Sequence, residues 1–273
     1  MTFDFLDYDG GGPVARIFLS RPERTNALNG AMLTEVCAAM DRAEADDTVR
    51  AIVVTGAGTA FSSGFDLKEQ MEKRPSGVAQ WRPLLQKDFD TVMRFWRSPK
   101  PTIASVRGAC LAGAFELMLA CDVTIASETA FFGEPELKFG AGIVAMILPW
   151  LVGPKLAKEI ILSGEDRIPV GRARELGLVN RIVADADLDA AAMAFATHVA
   201  AIDPDLVKQT KRAINKSYEM RGMLEALDAA LDIDLLIEGG GSPDKMRFMD
   251  IARAEGLKAA LAWRDARFTA RTP

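Results

Sequence analysis

Strand-like and helix-like segments alternate along the first half of the chain, and this alternation limits the folds that the chain can form. Four segments have the apolar or alternating pattern of strands: residues 14–20, 49–55, 101–106 and 123–126. Three have helical patterns: Gly30–Ala45, with Asn29 as a plausible cap, residues 81–96, and Gly113–Ala120. Repeated strand–loop–helix units predict an α/β fold, in which a mainly parallel sheet is layered with helices.

Beyond about Gly140 the pattern becomes predominantly helical. Helical patterns cover residues 144–152, 154–163 and 169–176, and a short apolar stretch follows at residues 178–183. From Asp187 onward nearly all of the chain has helical patterns, broken only by prolines and glycines. We therefore divide the chain into an α/β core that carries the functional site, residues 1–195, and a C-terminal helical region, residues 196–273. We expect the helical region to pack on a neighbouring subunit.

Composition excludes several classes of protein. A chain of 273 residues with 49% hydrophobic residues can bury a substantial core, as one large domain or as a core with an added helical part. A formal net charge of −5 argues against a general nucleic-acid binder, which needs a basic face, so an anionic ligand must be held by local positive charge. The acidic N-terminus lacks the apolar core of a signal peptide, and no apolar stretch is long enough to span a membrane. We expect neither a nucleic-acid nor a membrane partner.

The cysteines and the histidine argue against metal and triad chemistry. Cys37, Cys110 and Cys121 are odd in number and show no C-x-x-C spacing, which fits buried thiols in a reducing cytoplasm. His198 is the only histidine and lies in a predicted surface helix, so neither a Ser–His–Asp hydrolase nor a His-ligated metal is expected. The sequence therefore predicts a cytoplasmic protein without a metal site.

Glu116 is the only charged residue in the apolar run ACLAGAFELMLAC, residues 109–121. Burying a carboxylate without a partner is costly, and a solvated helix face would carry several polar residues. Glu116 could meet a buried arginine or cap a backbone group. Alternatively, it is a carboxylate held in an apolar cleft, where burial raises its pKa and suits it to proton transfer. The preceding Gly113 opens the helix, so its free N–H can face an anion.

Three further segments carry residues that suit chemistry. Residues 61–68, FSSGFDLK, follow a strand and lead into a helix, so their backbone N–H groups can face an oxyanion and Lys68 can reach a phosphate. Residues 132–137, FGEPEL, place Pro135 between two carboxylates. Residues 21–29 form a loop with two arginines beside the first strand. Taken alone, the first segment could be an ordinary strand-to-helix loop and the second a solvated acidic turn.

Taken together and in order, these segments resemble the enoyl-CoA hydratase/isomerase family, also called the crotonase superfamily. The resemblance runs from about Val14 to Arg181. It rests on RPERTNALN, on VRAIVVTGAGTAFSSGFDLKE, on KPTIASVRGACLAGAFELMLACDVTIASETAFFGEPELKFG and on KEIILSGEDRIPVGRARELGLVNRIV. It implies a spiral of β–β–α repeats with a C-terminal helical trimerisation region.

The resemblance also implies a site for acyl-CoA thioesters. The backbone N–H groups of Phe65 and Gly113 would form an oxyanion hole that stabilises an enolate. Coenzyme A, as part of the substrate rather than a separate cofactor, would contact six residues: Arg24, Ala27, Phe65, Asp66, Leu67 and Lys68. Hydratases of the family use two glutamates, which match Glu116 and Glu136 here. Two carboxylates sharing a proton can activate water and protonate the α-carbon, and we assign these roles mainly to Glu116 and Glu136 respectively.

The segment after these glutamates departs from the family's pattern. Many hydratases continue with a Pro–Gly–Ala–Gly–Gly turn and a Thr–Gln–Arg–Leu helix, whereas residues 140–151 here read GAGIVAMILPWL. Because this segment borders the acyl pocket in the family, we expect Ile143, Met146 and Trp150 to line that pocket and to favour bulkier acyl groups than crotonyl; they could instead only pack the helix. Glu134 stands where a neutral residue is common.

The sequence therefore predicts an enoyl-CoA hydratase that forms a homotrimer or a dimer of trimers. The alternatives are a double-bond isomerase on the same scaffold and a non-catalytic acyl-CoA-binding homologue. Keeping a lone buried glutamate is costly in stability, which disfavours the non-catalytic alternative.

Overall fold

Nine strands and twelve α-helices make up the computed structural model over residues 2–268, which are the residues it describes. The strands are β1 (Leu6–Asp9), β2 (Val14–Leu19), β3 (Ala51–Gly56), β4 (Thr102–Val106), β5 (Ala109–Leu111), β6 (Val123–Ser127), β7 (Phe131–Gly133), β8 (Ile168–Pro169) and β9 (Arg181–Val183). The helices are α1 (Gly30–Ala45), α2 (Leu67–Lys73), α3 (Gly77–Arg97), α4 (Gly113–Ala120), α5 (Leu148–Val152), α6 (Pro154–Ser163), α7 (Val170–Glu175), α8 (Leu188–Ala200), α9 (Pro204–Glu219), α10 (Met223–Gly240), α11 (Pro243–Glu255) and α12 (Leu257–Ala266). Short 3-10 helices cover Pro22–Arg24, Glu136–Phe139 and Asp185–Asp187.

Two sheets organise the core. The larger has the order β1-β2-β3-β4-β6-β9, in which β1 is an antiparallel edge strand and the other pairs are parallel. The smaller has the order β5-β7-β8. Ile52 pairs with Thr102 and Ile103 with Val123, so strands that are distant in sequence lie side by side. The carboxyl ends of the parallel strands therefore meet at one edge, where the connecting loops converge.

The chain repeats a β–β–α unit. In one turn β4 joins the large sheet, β5 joins the small sheet, and α4 follows; in the next, β6, β7 and the 3-10 helix Glu136–Phe139 take the same places. Isolated bridges between Leu28 and Phe65 and between Ser62 and Cys110 extend the small sheet to the preceding turns. The repeats bring the Phe65 loop beside β5, and hence beside the start of α4.

The large sheet is covered on both faces, which explains its apolar strands. Ile52 and Val54 of β3 belong to the main core with α1, α3 and α4, whereas Val53 faces the other way and packs with α8. Every residue of β3 and β4 is buried. Strands buried on both faces are typical of parallel sheets under helices.

Most predicted elements are confirmed, and one is not. Helix α1 has its predicted bounds, and the Asn29 side chain caps it by accepting a 2.8 Å hydrogen bond from the Met32 N–H. Helix α4 also has its predicted bounds, and His198 lies exposed on α8 as expected. The prediction of helix over residues 144–147 is wrong: α5 begins at Leu148. The N–H groups of residues 144 and 145 both donate to a side chain described below.

The C-terminal region is helical, as predicted. Helix α8 spans the boundary that we placed at residue 195 and packs on the sheet, so the division into residues 1–195 and 196–273 stays a prediction. Helix α10 packs extensively along α3, and α11 packs with α12. Lys211 of α9 fastens this region to the core: its Nζ donates to Asp122 at 2.7 Å and to the Lys100 carbonyl at 3.1 Å. None of the described helices is both long and apolar enough to cross a bilayer.

Candidate active site

A buried asparagine shapes the loop that follows β2. Asn26 is fully buried and has φ of 51°, in the left-handed region that asparagine tolerates better than most residues. Its Nδ2 donates to the carbonyls of Ala57 and Ala60, both at 2.9 Å, and its Oδ1 accepts from the Arg21 N–H at 2.9 Å. The Ser62 hydroxyl in turn donates to the Asn26 carbonyl at 2.7 Å. These bonds hold the loop against residues 57–63 and fix the path of the chain into Phe65.

The N–H groups of Phe65 and Gly113 lie at the junction of two adjacent turns of the spiral. A side chain on Gly64 would lie 3.1 Å from the Gly113 nitrogen, so the two segments approach closely. Neither N–H is hydrogen-bonded to an acceptor within the described part of the chain. Gly113 is the first residue of α4, where helical N–H groups have no partner in the helix and carry partial positive charge. The pair can therefore bind an oxyanion.

Backbone strain at Ala112 sets the direction of the Gly113 N–H. Ala112 has φ of 56° and ψ of −139°, a conformation that costs a residue with a side chain about 1–3 kcal/mol. The turn is held by the Ala112 N–H, which donates to the Gly133 carbonyl at 2.9 Å, and by the Ala112 carbonyl, which accepts from Glu116. Gly113 itself is required for space, because a methyl group there would overlap the Phe65 ring.

Glu116 is buried in the middle of α4, and its partners are backbone groups. It is 1% exposed, and its carboxylate accepts hydrogen bonds from the Ala145 N–H at 2.6 Å and the Val144 N–H at 3.3 Å. Burial, followed by the nearby Glu136 charge, raises the pKa of Glu116 well above its ordinary value, while the Ala145 and Val144 hydrogen bonds oppose that rise. Of the alternatives left open by the sequence, Glu116 has no arginine partner among the described residues, but it does accept from backbone groups while lying in a buried site.

Three buried carboxyl groups meet at this point. Oxygen atoms of Glu116, Glu134 and Glu136 all lie within 4.8 Å of one another. Burial raises the pKa of Glu134 well above its ordinary value, and the neighbouring Glu136 adds to the rise. Burial also raises the pKa of Glu136 to about 7, which hydrogen bonds from its own backbone N–H and from Glu134 hold down. Because the three carboxyl groups are buried close together, ionisation of all three at once is disfavoured, and the cluster can hold a proton beside α4.

The spacing of the cluster allows two kinds of chemistry. Three carboxyl groups at this separation have the spacing to ligate one cation, for which they must be ionised. They can also exchange a proton with one another, which requires only some of them to be ionised.

A cavity of about 440 Å³ opens beside the cluster. All six residues predicted to contact coenzyme A line it: Arg24, Ala27, Phe65, Asp66, Leu67 and Lys68. Glu136 lines it as well, whereas Glu116 and Gly113 lie just behind the wall formed by residues 111, 112 and 136. Arg264 of α12 adds a third positively charged side chain to the lining.

An ion pair fixes the side of the cavity that carries Phe65 and Asp66. Arg21 donates to the Asp66 carboxylate at 2.9 Å and to the Ala27 carbonyl at 2.5 Å. The other Asp66 oxygen caps α2 by accepting from the N–H groups of Lys68 at 3.0 Å and Glu69 at 3.3 Å. Arg21 thus joins the first loop to α2 and orients the residues around Phe65, a role that the sequence did not assign.

The three residues predicted to line the acyl pocket are not among those that line this cavity. Ile143 is buried in the main core, and Met146 and Trp150 pack against that core. Among the described residues that line the cavity, this segment contributes Ala141, Gly142 and Val144 rather than those three. Their predicted role in acyl selection stays a prediction.

The structure adds residues that sequence reasoning missed. Trp81, Leu85 and Asp88 of α3, and Asp234 and Glu238 of α10, line the same cavity. A signal for the α10 residues was present: the buried stripe of that helix runs through Met223, Leu227 and Leu231 and continues at the acidic positions 234 and 238. Acidic residues on an apolar stripe mark a buried polar site.

Comparisons with known proteins agree with this architecture. The family model described as Enoyl-CoA hydratase/isomerase matches residues 9–238. A crystal structure of an enoyl-CoA hydratase/isomerase from Xanthobacter autotrophicus Py2 is 67% identical, covers 98% of this chain and 99% of its own, and superposes with a TM-score of 0.97. An enoyl-CoA hydratase from Mycobacterium smegmatis superposes with a TM-score of 0.90 at 26% identity, over 98% of this chain and 95% of its own. Mevalonyl-coenzyme A hydratase of Aspergillus fumigatus is 35% identical over 217 residues, 78% of this chain and 79% of that protein. The predicted fold, an α/β spiral with a C-terminal helical region, is confirmed.

Proposed function

Because the chain belongs to the enoyl-CoA hydratase/isomerase family, we propose that it adds water across the double bond of a 2-enoyl-CoA thioester. The observation that carries the proposal is the meeting of two unpaired N–H groups, at Phe65 and Gly113, with the buried Glu116 and Glu136 carboxyl groups beside one cavity. Family membership alone leaves hydration and isomerisation open.

The oxyanion hole activates the substrate. The thioester carbonyl oxygen accepts hydrogen bonds from the Phe65 and Gly113 N–H groups, which draws electrons away from the double bond. As water attacks the β-carbon, negative charge moves to this oxygen and an enolate forms. Preorganised donors at such an oxygen are typically worth ~10²–10³-fold in kcat.

The two glutamates divide the proton transfers. Both oxygens of Glu116 accept from backbone N–H groups, which oppose the rise in its pKa caused by burial, and we assign to the ionised form of Glu116 the removal of the proton from the attacking water. Glu136 lines the cavity, and its Oε2 has no hydrogen-bond partner among the described residues, so a proton on that oxygen can reach the α-carbon of the enolate. The enolate electrons form the new C–H bond, and the product is a 3-hydroxyacyl-CoA. The proton gained by Glu116 replaces the one lost by Glu136.

Positive side chains around the cavity support an acyl-CoA ligand. Arg24, Lys68 and Arg264 come from three different parts of the chain and line one cavity. Arg24 and Lys68 are exposed, as suits phosphate groups that stay partly hydrated. Arg24 and Lys68 thus place positive charge at the mouth of the cavity in a chain whose overall charge is −5.

One observation favours isomerisation as a second candidate. Glu136 lines the cavity but Glu116 does not, so hydration requires water to reach a carboxylate that is 1% exposed. A single carboxyl group at Glu136 could move a proton between the α- and γ-carbons of a 3-enoyl-CoA without any water. The two reactions therefore differ in their need for Glu116.

Mass spectrometry and absorbance separate the candidates. The protein is incubated with a panel of 2-enoyl-CoA thioesters, from crotonyl to branched, cyclic and aromatic, and with a matching 3-enoyl-CoA. Hydration removes the conjugated-thioester absorbance and adds one water to the mass, whereas isomerisation of the 3-enoyl-CoA raises that absorbance at constant mass. Hydration that is lost in Glu116→Gln supports the proposal; isomerisation that survives in that variant overturns it in favour of the second candidate. A protein that binds acyl-CoA but changes neither signal is a non-catalytic homologue.

A further inference from the structure

Asp234 is a buried carboxylate that faces the cavity without a partner. It lies on α10, is 2% exposed, and lines the cavity. Neither of its oxygens accepts a hydrogen bond within residues 2–268, and neither lies within ion-pair distance of a described cation. A methyl group on Gly142 would overlap Oδ1 of Asp234, so the carboxylate lies directly against the backbone of the segment that bonds to Glu116.

The neighbouring cation has other partners. Lys245 of α11 forms an ion pair with Glu238, and its Nζ lies 4.2 Å from the centre of the Trp81 ring. Glu238 also accepts a 3.3 Å hydrogen bond from the Gly142 N–H. Glu238 thus has an ion-pair partner and one backbone donor, whereas Asp234, one helical turn away, has neither within hydrogen-bond or ion-pair distance and is reached by the Lys245 charge only at longer range.

The ionisation of the surrounding groups favours an acceptor at Asp234. Burial raises the pKa of Asp234 to about 6, against the attraction of the Lys245 charge, so Asp234 is mostly ionised at neutral pH. Burial raises the pKa of Asp88, a second carboxyl group on this wall, to about 8, so Asp88 is mostly protonated there. Glu238, the third, is paired with Lys245, so Asp234 is the carboxylate on this wall of α3 and α10 that needs a donor.

A buried ionised group without a partner is destabilising, and a protein keeps one where a ligand completes it. An aliphatic acyl chain would leave Asp234 dry and unpaired, which is the costliest arrangement of all. An acyl chain with a hydrogen-bond donor would pair it. Sites built around a buried polar group discriminate strongly against ligands that lack the matching group.

We propose that Asp234 accepts a hydrogen bond from a hydroxyl or amino group on the acyl chain, so that the preferred substrates are 2-enoyl-CoA thioesters with a donor group beyond the double bond. This inference rests on the proposed function, since it assumes that the cavity holds an acyl-CoA. The acyl pocket would then have one polar wall, at Asp234, rather than being lined by hydrocarbon alone.

Binding of saturated analogues tests the inference without any turnover. Isothermal titration calorimetry compares acyl-CoA thioesters of equal chain length, from four to about eight carbons, that end in a methyl, a hydroxyl or an amino group. The wild-type protein should bind the best hydroxyl or amino analogue at least about tenfold tighter than the methyl analogue, as expected for a hydrogen bond to a charged group. The hydroxyl and amino arms show which donor the site takes.

Variants and stability complete the test. Asp234→Leu should lose or reverse the preference, Asp234→Asn should reduce it, and the exposed Asp228→Asn on the same helix should keep it. Because the carboxylate is unpaired, the Asp234→Leu variant should also have the same melting temperature as wild type or a higher one. If Asp234 had a purely structural role, the melting temperature of this variant would be lower than that of wild type. A methyl analogue that binds wild type as tightly as the others, or a donor preference that persists in Asp234→Leu, would overturn the inference. If the donor preference is present but no enoyl-CoA is hydrated, the proposed reaction is wrong and the role of Asp234 in binding stands. If none of the analogues binds, both the proposed function and this inference are wrong.

Discussion

The Glu116 carboxylate accepts a 2.6 Å hydrogen bond from the backbone N–H of Ala145. This bond joins α4 to the segment before α5, where residues 144–147 do not form the helix that their apolar pattern predicts. A carboxylate that receives two N–H donors has a fixed orientation as well as a partly compensated charge. The departure from the family's pattern at residues 140–151 thus bears on the proposed base as well as on the acyl pocket.

Removing either proposed proton-transfer group should abolish most turnover. Glu116→Gln and Glu136→Gln keep the size of the side chain but cannot exchange a proton, and general acid–base roles are worth ~10²–10⁴-fold. Steady-state kinetics on the best enoyl-CoA gives kcat, and calorimetry with a saturated analogue gives the affinity, which should change little. Near-normal kcat in either variant would exclude the paired mechanism.

The N–H group of Gly113 should contribute to kcat, and a side chain at this position should be tolerated once the Phe65 ring no longer overlaps it. In a Phe65→Ala background, which removes the overlapping ring, Gly113→Ala keeps the N–H and Gly113→Pro deletes it. We expect the proline variant to have kcat at least ~10²-fold below the alanine variant. Circular dichroism and thermal melting control for misfolding of α4. Equal kcat values in the two double variants would argue against an oxyanion hole at this N–H.

Replacing Glu134 by glutamine should stabilise the protein increasingly as pH rises. The pKa of Glu134 is raised by burial, so its contribution to stability is fully present below about pH 4.3, its ordinary pKa, and is lost as pH rises through the folded value. Glutamine has no such dependence and can still donate a hydrogen bond to Glu136. The melting temperature of Glu134→Gln minus that of wild type should therefore grow between pH 5 and pH 8. A difference that is constant or shrinks over this range would contradict the burial of an ionisable Glu134.

Arg21 and Arg24 should have separable effects, although both lie in the first loop. Arg21→Ala leaves the Asp66 carboxylate without its ion-pair partner, so we expect the free energy of unfolding to fall by about 1–3 kcal/mol and the KM for acyl-CoA to rise. Arg24 is exposed and lines the cavity, so Arg24→Ala should raise KM without a stability cost. Chemical denaturation and steady-state kinetics measure the two quantities. Equal stability of the two variants would show that the Arg21–Asp66 pair does not organise the loop.

We expect the chain to assemble as a trimer or a dimer of trimers. Large apolar side chains are exposed along α9 and α10: Leu206, Ile214, Met220, Ile233 and Leu236. Covering such a patch is worth about 25 cal/mol per Å² of apolar surface. Sedimentation velocity at micromolar concentration gives the mass, and Leu206→Lys should weaken the assembly whereas Lys208→Ala on the same helix should not. A wild-type monomer would contradict the expectation.

The sequence predicts the parts of this fold that depend on local pattern. Helices α1 and α4 and the buried strand β3 follow from apolar spacing, capping and turn residues, and these signals are strong. The hydrogen bond from the Ala145 N–H to Glu116 could not be predicted from local pattern, because an apolar segment does not indicate that its backbone N–H groups donate to a carboxylate far away in the sequence. Asp234 was missed for a related reason: α10 carries five acidic residues, and packing on α3 decides which of them are buried.

The cavity is lined by the spiral, through Glu136, and by the C-terminal helical region, through Asp234. We therefore expect an acyl-CoA bound in that cavity to stabilise α10 as well as the loop at Phe65. At a ligand concentration of 100 times Kd, binding adds about 2.7 kcal/mol to the folded form. Opening of α10 away from α3 would forfeit that free energy, so we expect the amide protons of this helix to exchange more slowly in the bound protein. A bound acyl-CoA would thus hold the helical region against the spiral.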